Sequence, residues 1–258
     1  MRIGAVRYLN TKPLIHHWER HLPQAGLLLD LPSRLADRLT AGQLDVALIP
    51  SVEYFHQPQW EIVSDACIAC RGPVRSVRLL FRCPPRDVKT VALDEGSRTS
   101  ATLARILLAR RYDLHPQLRP LAIDQPYDEA EADAVLVIGD RAMRVEDGRW
   151  EANWDLGEQW VSLTGLPFVF AMWVARAPAI GSAVAGALAR CRDAGLRDAR
   201  RLAETLAPQY GLTADDCWRY FTQQLHFHLG PRERAGMDLF QQWATELQLI
   251  PSSPSLTT

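Results

Sequence analysis

The sequence predicts an α/β protein of two lobes, with mixed, mostly parallel sheets and a ligand cleft between the lobes. Three observations carry that expectation. Short apolar strands alternate with helical segments from the first residues onward, the order that builds parallel sheets. A fresh strand–turn–helix start appears at Val91, after the proline-rich break Cys83-Pro84-Pro85-Arg86-Asp87. Small polar residues gather at the predicted strand ends, where open α/β sheets bind their ligands. At 258 residues the chain can form one large domain or two lobes, each of about 100–150 residues.

Residues 2–6 read as a buried first strand, and Asn10 to Pro13 as a polar turn. Pro13 suits the first turn of a helix that continues to about His21. Leu27 to Leu31 is a second strand, and a helix over Arg34 to Ala41 ends at Gly42. Val46 to Pro50 is a third strand, stopped by its proline and followed by Ser51, Val52, Glu53 and Tyr54. Ile62 to Ser64 and Ala66 to Cys70 are strand-like, and Gly72-Pro73 turns into Val74 to Phe81, where Val77, Leu79 and Phe81 alternate. Val91 to Leu93 then enters a polar turn and a helix to about Arg111. Strands follow around Arg119 to Ala122 and over Ala134 to Gly139. Trp150 to Trp160 is polar and aromatic without an assigned element, and Pro167 to Val174 is another strand. From Ile180 the pattern is helical: Ser182 to Cys191, Ala199 to Ala207, Ala214 to Leu225 and Ala235 to Leu247. The expected lobes are 1–84 plus 175–250, and 88–172, with a disordered tail over 251–258.

Composition narrows the function classes. The net charge is -1, and the arginines are interspersed with acids, which leaves no electrostatic footprint for nucleic acid. The longest apolar run, Leu166 to Ala175, contains Pro167 and is about half a membrane span. No membrane partner is expected, and protein partners are unknown. The N-terminus enters a strand pattern without the apolar stretch and cleavage site of a secretory signal. Five cysteines form an odd set in a chain of this size, consistent with a reducing compartment. A cytoplasmic location is the expectation.

Metal and cofactor motifs are weak. Cys67 and Cys70 lie in a β-patterned segment without a second pair at zinc-finger spacing. His226 and His228, like the His16-His17 pair, read as capping or surface residues. Neither G-x-G-x-x-G nor G-x-x-x-x-G-K-[ST] occurs, and no serine sits in G-x-S-x-G. Neither a metal nor a cofactor is expected.

What remains is a ring of turn residues. Ser97, Arg98, Thr99 and Ser100 open an apolar-periodic helix, and hydroxyls with free backbone N–H groups at a helix N-terminus hold small anions without a metal. Four adjacent polar residues exceed what one helix cap requires. Asn10 follows the first strand, Ser51 and Glu53 follow the third, Arg75 and Ser76 start a crossing strand, and Gly139 closes another. In a two-lobe protein all of them approach one cleft. The expected ligand is a carboxylated or phosphorylated molecule small enough to sit in a cleft.

Five blocks in order resemble the chorismate dehydratases of the futalosine route to menaquinone. They are Gly4 to Leu14, Asp45 to Tyr54, Gly72 to Val77, Leu93 to Ser100, and Asp155 to Trp160 with Thr164 to Phe170. The resemblance implies the fold of type-2 periplasmic binding proteins and a lyase that removes water from chorismate to give 3-[(1-carboxyvinyl)oxy]benzoate. It further implies that Asn10, matching the family's asparagine after the first strand, acts near the reacting C3–C4 edge. Ser76, Thr99 and Ser100 would hold a carboxylate. The proton acceptor is either Glu53 or the substrate's own enolpyruvyl carboxylate; the latter is preferred, because the blocks contain no histidine and few acids aimed at the cleft. Two other readings stand beside this one. One is a binding module for a small carboxylate, without catalysis. The other is the sister enzyme that acts on cyclic dehypoxanthine futalosine, for which Trp150, Trp154 and Trp160 could supply ring contacts.

Overall fold

The computed structural model describes residues 1–57, 59–146, 148–176 and 181–251; the expected disordered tail, 251–258, lies outside them apart from its first residue. In chain order the strands are β1 (Arg2–Val6), β2 (Gly26–Asp30), β3 (Val46–Pro50), β4 (Glu61–Cys70), β5 (Val77–Phe81), β6 (Thr90–Asp94), β7 (Gln117–Leu121), β8 (Ala134–Ile138), β9 (Ala152–Asp155), β10 (Phe168–Ala175) and β11 (His226–His228). The helices are α1 (Trp18–His21), α2 (Pro32–Thr40), α3 (Ser51–Phe55), α4 (Arg98–Tyr112), α5 (Leu156–Thr164), α6 (Gly181–Arg197), α7 (Ala199–Tyr210), α8 (Ala214–Arg219) and α9 (Pro231–Glu246).

The strands form two sheets. One has the order β11-β4-β10-β3-β1-β2, and the other β7-β6-β8-β5-β9. Each is mixed. β1 runs parallel to β2 and β3, and β6 parallel to β7 and β8. β10 is antiparallel to β3 and β4, β11 to β4, and β5 to β8 and β9. Antiparallel pairing is therefore more prominent than the expected mostly parallel arrangement. Chemistry explains the ranking of strands within each sheet. β3, β8 and β10 are apolar and buried throughout, as strands covered on both faces must be. β7 is largely exposed and carries Pro120, which an edge strand tolerates because it need not donate on its outer side.

Sheet membership moves both expected lobe boundaries. β5 belongs to the second sheet, between β8 and β9, so the chain has left the first sheet before residue 77. The Pro84-Pro85 break is a turn inside the second lobe, followed by a short 3-10 helix over Pro85–Asp87. β10 returns to the first sheet, where its register against β3 and β4 makes it a central strand. The crossings therefore fall at about 71–76 and 156–167, earlier than the composition break suggested.

Further differences are local. The helix expected from Pro13 is instead a 3-10 segment, Leu9–Ile15, which holds Asn10 and Thr11. It ends before His17, whose φ of 52° breaks the spiral ahead of α1. His16 and His17 both contact Asp198, which ties this segment to the start of α7. The segment packs closely on α6: a methyl group at Gly195 would collide with the Pro13 carbonyl. Trp150 to Trp160, left unassigned from sequence, forms β9 and the start of α5. Among the described residues, no helix is long and apolar enough to cross a membrane.

Candidate active site

A cavity lies between the two sheets. From the first lobe Val6, Tyr8, Asn10, Pro32 and Pro50 reach it, and from the second Ser97, Thr99, Ser100, Ile138 and Gly139. Val74 and Ser76 come from the crossing segment, Val77 begins β5, and Ile68, Phe170 and Ala171 close the floor. Its atom-free space, mouth included, is about 490 Å³. Six of the residues singled out from sequence thus meet at one cavity: Asn10, Ser76, Ser97, Thr99, Ser100 and Gly139.

The α4 N-terminus is built by its own sequence. Ser97 is the N-cap, and its Oγ accepts from the Ser100 N–H at 3.2 Å. The Ser97 hydroxyl also donates to Ser100 Oγ at 2.7 Å, which leaves the Ser100 hydroxyl proton for a ligand. The backbone N–H groups of Arg98 and Thr99, in the first turn, have no partner within the helix. Thr99 works in both directions. Its Oγ1 accepts from the Val52 N–H at 3.2 Å and lies 3.4 Å from Ser51 Oγ. This end of α4 is thereby joined to α3 of the first lobe.

Asn10 stands on the 3-10 segment after β1. The Leu9 N–H donates to Asp140 Oδ1 at 3.0 Å, which fixes the segment to the second lobe. Thr11 Oγ1 donates to Asn10 Oδ1 at 3.3 Å, so the Asn10 amide presents its N–H groups to a ligand.

Ser76 is held by the crossing segment. The Asp155 carboxylate accepts from the Val74 N–H at 2.9 and 3.0 Å and from the Arg75 N–H at 2.5 Å. Asp155 is also the N-cap of α5, accepting from Glu158 N–H at 3.1 Å. One side chain therefore shapes both crossings. Arg75 adopts φ 63° in this turn, and the Ser76 carbonyl accepts from the Gly139 N–H at 2.8 Å. The Ser76 hydroxyl hydrogen-bonds the buried side chain of Tyr220, which begins a wide helical turn over Tyr220–Gln224.

Three residues expected at the site lie elsewhere. Ser51 is fully buried behind Thr99 and donates to the Val169 carbonyl at 2.8 Å. Arg75 points toward α8, 3.6 Å from Asp216. Glu53 pairs with Arg98 at 3.3 Å and does not line the cavity. Burial works against the Arg98 charge, but Glu53 and Asp37 more than offset it and raise its pKa. The physical reason is the same in each case. A strand end brings a residue near the cleft, and its neighbours then decide where the side chain points.

Tyr8, Phe170 and the prolines at 32 and 50 were missed. Tyr8 is legible only through its position two residues before Asn10, and Phe170 sits in a wholly apolar strand that gives no hint of a ligand. Trp160 is buried in the core against Phe168, Phe240 and Trp243. Trp154 packs on Phe81 and Tyr112, and Trp150 on Tyr127 and Arg82. None of the three reaches the cavity.

The electrostatics are unusual for an anion site. Among the described residues, no Asp, Glu, His, Lys or Arg lines the cavity. An anion here meets neutral donors and the positive end of α4, on apolar walls that strengthen each hydrogen bond. Among the described residues, Tyr8 is the one titratable side chain in the lining. Its burial, reinforced by Asp94, raises its pKa far above the ordinary range, so it remains a donor. Cys67 and Cys70, in the floor strand β4, are buried free thiols; burial raises both, Cys70 to about 12. They are inert packing groups.

Three comparisons place this arrangement among known proteins. The chain is 30% identical over 264 residues to the chorismate dehydratase of Thermus thermophilus, covering 93% of each chain. A solved protein of Archaeoglobus fulgidus superimposes with a TM-score of 0.74 at 14% identity, covering 96% of this chain and 98% of that one. An alkanesulfonate-binding protein of Xanthomonas axonopodis pv. citri, bound to MOPS, matches with a TM-score of 0.62 at 13% identity, covering 98% and 94%. A Candida albicans protein described as having the generic periplasmic binding protein fold gives 0.62 at 9% identity, covering 98% and 92%. These structures share the two-lobe, periplasmic-binding-protein-like fold. A family model described as menaquinone biosynthesis matches residues 1–246; with nearly the whole chain covered, the protein belongs to the menaquinone biosynthesis family.

Proposed function

We propose that the protein dehydrates chorismate to 3-[(1-carboxyvinyl)oxy]benzoate and water, the first step of the futalosine route to menaquinone. One observation carries the reading: Asn10, Ser76 and the α4 hydroxyls line a single cavity that contains no charged side chain. Chorismate is a cyclohexadiene dianion, and its two carboxylates suit such a set of neutral donors.

The chemistry follows from the ring. The C3 proton is conjugated through the C1–C2 double bond to the ring carboxylate. Its removal pushes charge onto that carboxylate, and departure of the C4 hydroxyl then aromatises the ring. Donors at the α4 N-terminus, Thr99 and Ser100 among them, bind the carboxylate where this charge grows. Ser76 contributes from the crossing segment. Asn10 donates at the C3–C4 edge and assists the leaving hydroxyl. The C3 proton goes to the substrate's own enolpyruvyl carboxylate, a short intramolecular transfer that needs only orientation and a dry cavity. The resulting carboxylic acid passes it to the departing C4 oxygen, which leaves as water and restores the carboxylate. The lining supports this choice over Glu53, which is engaged by Arg98 outside the cavity.

The tryptophan positions do not favour the longer cyclic dehypoxanthine futalosine substrate. A cytoplasmic setting is supported by the five free cysteines. Mixing the protein with chorismate and following the ultraviolet spectrum tests the reading: the diene absorbance is expected to give way to that of an aromatic product. Binding of chorismate without spectral change would leave only a binding module.

A further inference from the structure

Tyr8 is 8% exposed, and its hydroxyl is buried without a hydrogen-bond partner among the described residues. An unpaired buried hydroxyl destabilises a fold and calls for an explanation. The residue leaves the first lobe just after β1, yet its ring rests on the second. A methyl group at Gly139, where φ is 64°, would come within 3.0–3.1 Å of three ring carbons. A methyl group at Gly96 would stand 3.2 Å from the Tyr8 hydroxyl oxygen. Gly96 immediately precedes Ser97, the cap of α4. The hydroxyl is therefore placed beside the helix end that offers the Arg98 and Thr99 N–H groups and the Ser100 hydroxyl.

We propose that Tyr8 is a substrate-binding residue whose hydroxyl donates to the carboxylate held at the α4 N-terminus. The inference rests on the dehydratase reading and names a donor for its ring carboxylate. The nearby acid does not satisfy this hydroxyl in the unliganded protein. Asp94 Oδ1 accepts from the Gly96 N–H at 2.9 Å, and Oδ2 accepts from Arg141 at 2.5 Å. A carboxylate is acceptor-only, so a bound substrate supplies what the hydroxyl lacks. The bond strengthens as charge develops on that carboxylate. Tyr8 also walls the cavity off from a groove lined by Arg7, Ile123, Asp140 and Arg141. The ring and the hydroxyl thus have separate tasks.

Tyr8→Phe separates them, because it keeps the wall and removes the donor. Its kcat/KM for chorismate is expected to fall about 10–100-fold, with a raised KM. The melting temperature of the unliganded variant should equal or exceed that of the parent, since an unpaired polar atom has gone. A kcat/KM within twofold of the parent overturns the inference, as does a loss of activity matched by a fall of several degrees in melting temperature. Calorimetry with isophthalate, a flat dicarboxylate, keeps the two readings distinguishable. If the parent binds isophthalate but does not convert chorismate, the dehydratase reading fails alone; tenfold weaker binding by Tyr8→Phe then still supports the donor, and equal binding overturns it.

Discussion

Replacing Asp155 with alanine should weaken the fold and the chemistry together. The carboxylate accepts from three backbone groups, those of Val74, Arg75 and Glu158. Loss of the α5 cap costs about 1 kcal/mol. The two bonds on the crossing turn are charge-assisted but only part-buried, and together contribute about 2 kcal/mol. They also hold Arg75 at φ 63°, a conformation that costs a non-glycine residue about 1 kcal/mol. The lost bonds sum to about 3 kcal/mol, and relaxation of Arg75 can return up to about 1 kcal/mol of it. Asp155→Ala is therefore expected to lose about 2–3 kcal/mol, read from urea denaturation. At about 0.5 kcal/mol per degree for a chain of this length, the melting temperature falls by about 4–6 °C. The same turn sets Ser76, and a displacement of about 1 Å there lowers kcat/KM by about 10²-fold. Asp155→Asn, which keeps one acceptor oxygen, should lie between. A Asp155→Ala protein within about 1 kcal/mol of the parent and with unchanged kcat/KM would show that the crossing is held by other means.

Asn10 is half-buried, so Asn10→Ala should leave the melting temperature within about 2 °C while lowering kcat by about 10²-fold or more; unchanged turnover removes it from the reacting edge. Glu53→Gln is expected to retain kcat within about threefold, since its partner is Arg98 and not the cavity; abolished turnover with intact product binding would instead make Glu53 the proton acceptor. Burial raises the Asp140 carboxyl above its ordinary 3.8, against the opposing bond from Leu9. The folded protein therefore keeps this proton to higher pH than the unfolded chain, and stability declines as pH rises from 3.8 to the raised value, then levels. The unfolding free energy of Asp140→Asn relative to the parent should rise across that window and be flat above it; a difference independent of pH refutes the assignment.

Much of the site was legible because it is local. Ser97 and Ser100 form a cap with a hydroxyl to spare, and that pattern is complete within four residues. Gly139 and Asn10 follow apolar strands, so their arrival at a cleft follows from topology. Glu53, Ser51 and Arg75 share that placement, but their side-chain directions depend on Arg98, Val169 and Asp216, which lie far away in sequence. The lobe boundaries were misread for a similar reason. Alternation at Val77, Leu79 and Phe81 marks a strand but not its sheet, and Pro84-Pro85 looked like a linker where the chain only turns. Tyr8 was legible only by its place before Asn10, because its distinguishing property, an unpaired hydroxyl at Gly96 on a ring packed against Gly139, exists only in three dimensions.

The uncharged lining sets a limit on how the cleft can treat its ligand. A guanidinium against the enolpyruvyl group would grip it harder and, in the same act, drain its affinity for a proton. Amides and hydroxyls hold a carboxylate while leaving it basic. A cleft that forgoes cations can thus enlist the very group it binds as a reagent, and tighter capture there would come at the expense of turnover.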